Sequence, residues 1–227
     1  MKNILLVVAT DNELAALRRV CSLKSEGIGA NKFFSRDEEN YHLDVIHGGI
    51  GKAAMAFMLG LCYARKHYDL ILNIGVAGSL SDELKPMDIF CATKSAYYDV
   101  SLPGLPRGKM DEMPLYFECD EKIVELAKQI DPEIKTGLVL TGDLFVTKNN
   151  LPEGIERDFD HPLAIDMESA SVGESAYIGK VPYGILRTVS DTVTTSDDEK
   201  EYEKNVAEAS DRAARMALEI LRLYSSI

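Results

Sequence analysis

Short apolar runs of strand length alternate with longer stretches of helical periodicity along the whole sequence. The runs ILLVVA (4–9), LDVIH (43–47), LILNIG (70–75), MDIFCAT (87–93), GLVLT (137–141), LAID (163–166) and YGILRTVS (183–190) read as strands. Several lack the apolar–polar alternation of a strand with one wet face, so helices are expected to cover them on both sides. Helices fit best at 11–22, 52–66, 120–130, 168–178 and 198–224. This order predicts an α/β fold: three layers, α/β/α, around a central, mostly parallel, twisted mixed sheet. The 227 residues contain no internal repeat, low-complexity tract or linker, so one domain over 1–227 is expected.

The last helix has the clearest signature. Ser196 and Glu199 form a capping-box pattern, and Val206, Ala209, Ala213, Met216, Ile220 and Leu223 follow at three- and four-residue steps. The stretch AAMAFMLGLCYA (53–64) is apolar on every side. A sheet can cover only one face of that helix, so a subunit interface is expected on the other, giving a homodimer. The stretch DVSLPGLPRGKMDEMP (99–114) is too long and too rich in Pro and Gly for a simple turn.

Composition removes several functions. A net charge of −12 would repel a polyphosphate partner, so no nucleic-acid binding is expected. Apolar runs fall short of a membrane helix, and MKNILLVVATDNE reads as a first strand rather than a signal peptide. Cys21, Cys62, Cys91 and Cys119 are scattered, which suits reduced thiols in a cytoplasmic protein. His42, His47, His67 and His161 lack ligand spacing, so neither a metal nor a cofactor is expected.

Chemistry-bearing residues gather just after the expected strands. In ATDNE (9–13), Thr10 and Glu13 make a capping box, while Glu13 also stands where a general base would be useful. HGGIGK (47–52) fits neither a Walker P-loop nor a dinucleotide fingerprint; it is a tight turn or a ligand-facing loop. In NIGVAGSL (73–80), Gly75 and Gly78 would let a flat ligand approach the backbone. Phe145 in TGDLFV could stack on an aromatic ligand or belong to the core. Asp191 in RTVSD could cap a turn or carry a proton, and Arg187 needs an acidic partner if buried. LAIDMESASVGES (163–175) puts two carboxylates, Asp166 and Glu168, where a buried strand becomes a helix. In a parallel sheet such strand ends share one edge, so these segments would meet in one pocket.

Taken in order, ATDNE, HGGIGK, NIGVAGSL, TGDLFV, IDMESAS and RTVSD resemble the nucleoside phosphorylase/nucleosidase superfamily. The likeness runs from the first strand to the final helix and is strongest to its methylthioadenosine/adenosylhomocysteine nucleosidases, which are homodimeric cytoplasmic hydrolases that release adenine. The resemblance implies that Glu13 activates the attacking water. It implies that Asp191, with Ser190 beside it, protonates purine N7. Glu168 would hold the ribose hydroxyls and Met167 would pack against the sugar. Phe145 and Val146 would stack on adenine and bond it through the backbone, and Val76, Ala77 and Gly78 would lie beneath the nucleoside. Ile50 in HGGIGK is expected to complete the substrate pocket, and Asp166 is expected to be structural, paired with Arg187. The implied partners are a small nucleoside and water.

Hexameric purine phosphorylases of the superfamily place an arginine in the strand leading into the glycine loop, where it clamps phosphate. Here that stretch is LILNIGVAG, with Asn73 and no arginine, so water is expected as nucleophile. The loop after YYD (97–99) is VSLPGLPRG, shorter than in relatives and without an aromatic, which leaves the preferred 5′ group open. The alternatives are a purine or pyrimidine nucleoside phosphorylase, a futalosine-type nucleosidase, and a nucleoside-binding protein without catalysis.

Overall fold

A computed structural model describes residues 1–26, 32–193 and 198–227, the side chains of 198 and 199 excepted. The strands are β1 (Lys2–Val8), β2 (Lys24–Ser25), β3 (Phe33–Asp37), β4 (Tyr41–His47), β5 (Leu70–Ser79), β6 (Ile89–Tyr97), β7 (Phe117–Glu118), β8 (Lys135–Thr141), β9 (Pro162–Asp166) and β10 (Tyr183–Thr192). The helices are α1 (Asp11–Val20), α2 (Lys52–Tyr63), α3 (Glu121–Ile130), α4 (Ile155–Asp158), α5 (Ser169–Gly179) and α6 (Asp198–Ser225).

β1 shows why its sequence is apolar throughout. Ile4, Leu6 and Val8 point into one buried cluster with Leu17 of α1, Ile123 of α3 and Ile220 of α6. Leu5 and Val7 point the other way, onto Met55 and Leu59 of α2 and Val172 of α5. Successive side chains of a strand face opposite sides, so a strand between two helical layers needs apolar residues at every position. The stripe on α6 behaves as its spacing predicts: Val206, Ala209, Ala213, Met216 and Ile220 are buried and Leu223 is partly so. The Thr10–Glu13 capping box is formed at the start of α1. The Ser196–Glu199 pattern lies outside the described residues.

The sheet departs from an open one. Its order is β10-β6-β8-β9-β5-β1-β4-β3-β2, and β10 also pairs with β5. β10, β6, β8, β9 and β5 therefore close into a ring, with a third apolar cluster including Leu140, Val146, Phe159, Ile165 and Val193. Pairing is parallel in β1–β4, β1–β5, β5–β10, β6–β8 and β8–β9, and antiparallel in β6–β10, β5–β9 and the β2–β3–β4 edge. β9 touches β5 through only two residue pairs, Gly78 with Ile165 and Ser79 with Ala164. That short crossing carries the end of β9 to the glycine loop at the end of β5.

The single chain leaves the outer side of α2 open. Met55, Met58, Leu59 and Cys62 are buried, whereas Ala53, Ala56, Phe57, Gly60 and Leu61 face outward. Tyr177 and Ile178 of α5 are also exposed. Among the described residues, no helix is long and apolar enough to cross a membrane.

Candidate active site

One pocket collects the ends of β1, β5, β8, β9 and β10, together with a residue from α6. Its lining includes Glu13, Ile50, Val76, Ala77, Gly78, Phe145, Val146, Met167, Glu168, Ser190 and Asp191, so every candidate site residue from the sequence lies on it. Thr10, Leu144, Ile165, Asp166 and Tyr202 complete the wall.

Glu13 ties two strand ends together. Its Oε2 accepts from Ala9 N–H at 2.7 Å and Thr10 N–H at 3.0 Å, and its Oε1 accepts from Val76 N–H at 3.2 Å. A carboxylate offers about four acceptor directions, so this buried group still has capacity for a water. The capping box and a role as base are therefore compatible. The glycines of the loop make room for carboxylates as well as for a ligand. A Cβ on Gly75 would lie 2.2 Å from Glu13 Oε1, and one on Gly78 would lie 3.1 Å from Asp191 Oδ2 and 2.7 Å from Val193.

Asp191 is buried near the end of β10, and Ser190 Oγ donates to its Oδ1 at 2.6 Å. The register slips here: Val189 faces Ala77 and Asp191 faces Gly78, so Ser190 is an extra residue in the strand. Such a bulge re-aims the side chain beside it. The pattern RTVSD gave the acid but no signal of the bulge.

The two carboxylates of IDMES have separate surroundings. Asp166 is held on every side. Thr141 Oγ1 donates to Oδ1 at 2.6 Å, the N–H groups of Glu168 and Ser169 add bonds to Oδ1 at 3.3 and 3.1 Å, and Ser169 Oγ donates to Oδ2. Arg187 Nε lies 2.9 Å from Oδ2, with both side chains 2% exposed. The Arg187 guanidinium also donates to Asn73 Oδ1 and to Ser169 Oγ. Asn73 thus occupies a buried structural network, and the nearby arginine is already engaged.

Glu168 is different. Among the described residues its Oε1 accepts one bond, from Gly51 N–H at 2.9 Å, which connects it to the HGGIGK loop. Burial, then the negative charge of Asp166, raises its pKa from 4.5 to about 8. A group held this way gains from hydroxyl partners delivered by a ligand.

The mouth of the pocket is aromatic and apolar. The rings of Phe145 and Tyr202 meet edge to face, with centroids 5.3 Å apart at 76°. Burial and then the charges of Glu13, Asp191 and Glu168 raise the Tyr202 hydroxyl above its usual pKa. Tyr202 gave no sequence signal, because it sits in the first turns of a helix and follows no strand.

The Phosphorylase superfamily profile matches residues 3–222. A 5′-methylthioadenosine/S-adenosylhomocysteine nucleosidase of Buchnera aphidicola subsp. Schizaphis graminum is 30% identical, over 97% of this chain and 97% of its own. The S-adenosylhomocysteine nucleosidase of Streptococcus pyogenes, solved in complex with 5-methylthiotubericidin, aligns with a TM-score of 0.89 at 26% identity, covering 97% of this chain and 96% of that one. The 5′-methylthioadenosine/S-adenosylhomocysteine nucleosidase of Streptococcus pneumoniae, holding a transition-state inhibitor, gives 0.88 at 27% identity over 96% and 98%. With most of its length matched in sequence and in fold, the chain belongs to the phosphorylase superfamily, among the 5′-methylthioadenosine/S-adenosylhomocysteine nucleosidases.

Proposed function

We propose that the pocket hydrolyses the N-glycosidic bond of 5′-substituted adenosines, methylthioadenosine and adenosylhomocysteine, to adenine and the 5′-substituted ribose. The observation that carries this reading is the convergence of three buried carboxylates, Glu13, Glu168 and Asp191, on a pocket with an aromatic mouth. Cleaving a C–N glycosidic bond builds an oxocarbenium-like sugar, as in glycoside hydrolysis. Adenine is a poor leaving group until it is protonated, and Asp191 is the acid at N7, oriented by Ser190. Glu168 holds the ribose hydroxyls more tightly as positive charge develops, with Met167 against the sugar. Glu13 polarises water for attack on the opposite face. Phe145 stacks on the base, the Val146 backbone bonds its edge, and Val76, Ala77, Gly78 and Ile50 enclose the rest.

Water is the nucleophile in this reading. By resemblance, Asn73 stands where hexameric purine phosphorylases carry their phosphate-clamping arginine, and Arg187 is committed to Asp166, Ser169 and Asn73. The chain acts as one domain in the cytoplasm, without nucleic acid, and as a homodimer. The outward residues of α2, with Tyr177 and Ile178, form the apolar face that a second copy covers.

Product analysis with methylthioadenosine, adenosylhomocysteine, adenosine and inosine, each with and without phosphate, tests the reaction. Adenine and free 5′-substituted ribose, independent of phosphate, are expected. A ribose 1-phosphate product would replace this reading with a phosphorylase, and binding without turnover would replace it with a nucleoside carrier.

A further inference from the structure

The strand that carries Asp191 keeps β5 on one side but loses β6 from the other just before the acid. β6 pairs with β10 as far as Thr188, which faces Ile89, and Val189 completes the contact through bonds with Met87 and Asp88. Beyond that point two side chains of α6 bond the backbone on the side that β6 has left. Asn205 Nδ2 donates to the Ser190 carbonyl at 2.9 Å, and Glu201 Oε2 accepts from Thr192 N–H at 2.8 Å. The two residues are four apart on a helix, so they share one face. They grip the backbone immediately before and immediately after Asp191, at the bulge where Ser190 is the extra residue.

We propose that Asn205 and Glu201 are positioning residues for the acid: they lock the Ser190 bulge and so fix the aim of Asp191 into the pocket. A bulged strand end has backbone groups with no ladder partner, and without a fixed hydrogen-bonding frame it can relax towards the regular register. Relaxation would turn Asp191 away from the space beside Gly78, while leaving Glu13, Glu168 and Phe145 on other elements undisturbed. The two residues therefore act on departure of the base rather than on recognition of the sugar. Misplacing a catalytic group by about 1 Å can cost roughly 100-fold in rate.

This inference rests on the nucleosidase reading, and its test separates the two. The wild-type enzyme, Asn205→Leu, Glu201→Leu, Glu201→Gln and, as benchmark, Asp191→Asn are compared on two substrates. One is methylthioadenosine, whose base must be protonated to leave. The other is the 4-nitrophenyl glycoside of 5-methylthioribose, whose phenolate leaves without a proton. Asn205→Leu and Glu201→Leu are expected to lose about 10- to 100-fold in kcat on methylthioadenosine and less than about 3-fold on the nitrophenyl substrate. Glu201→Gln keeps an acceptor oxygen and is expected to retain the wild-type ratio. Equal losses on both substrates, or no loss on either, would overturn the positioning role. If Asn205→Leu fails to fold, the Glu201 pair is read by the same ratio. Failure of the wild type to release adenine would instead refute the nucleosidase reading.

Discussion

Asp191 is expected to act through its proton, so Asp191→Asn separates chemistry from folding. Adenine release should fall by about 10²- to 10⁴-fold, with thermal unfolding nearly unchanged, as steady-state assays and melting curves on one preparation would show. Glu168 predicts the opposite pattern in stability. Its raised pKa means that the folded state holds this proton more tightly than the unfolded chain does. The stabilisation is complete below pH 4.5 and lost as pH rises through about 8. Glu168→Gln should therefore melt higher than wild type at neutral pH, with the gap widening from pH 5 to pH 8, while substrate affinity falls. A constant gap across that range would refute a buried, destabilising carboxylate. Both residues were legible in the sequence because they follow strands in the order of the family motifs. Tyr202, Asn205 and Glu201 were not, since their spacing is that of any exposed helix turn and only packing against β10 gives them meaning.

Among the elements, β9 and β10 are joined by the Asp166–Arg187 pair rather than by strand pairing. Asp166→Asn would leave a buried guanidinium short of its counter-charge, at a cost of about 3–5 kcal/mol. At about 2–4 °C per kcal/mol for a chain of this size, a melting temperature lower by roughly 10 °C is expected. A shift of a degree or two would mean that Asn73 and Ser169 suffice. The long strands and five main helices could be read from periodicity, because both faces of the sheet are dry. β2, β3, β7 and α4 could not: they are short, and their placement depends on partners far away in the chain. The strand expected at 87–93 begins at Ile89 and extends to Tyr97, because β8 pairs along its whole second half.

In the whole molecule, the outer side of α2 is an apolar face that the single chain leaves uncovered. The apolar run 53–64 predicted a covered face, and the single chain leaves Phe57 66% exposed at its centre. Phe57→Glu should convert a dimer into a monomer in sedimentation equilibrium, with the secondary structure intact; a wild-type monomer would refute the interface. Closure of the sheet into a ring has a kinetic corollary. β5 and β10 are separated by almost half the chain, yet their contact brings Gly78 beside Asp191. Pairings between distant segments form slowly, because the intervening chain must first be ordered. The pocket can assemble only when that ring shuts, so recovery of adenine release on refolding should lag behind recovery of helical circular dichroism. The catalytic centre would then serve as an internal clock for the last step of folding.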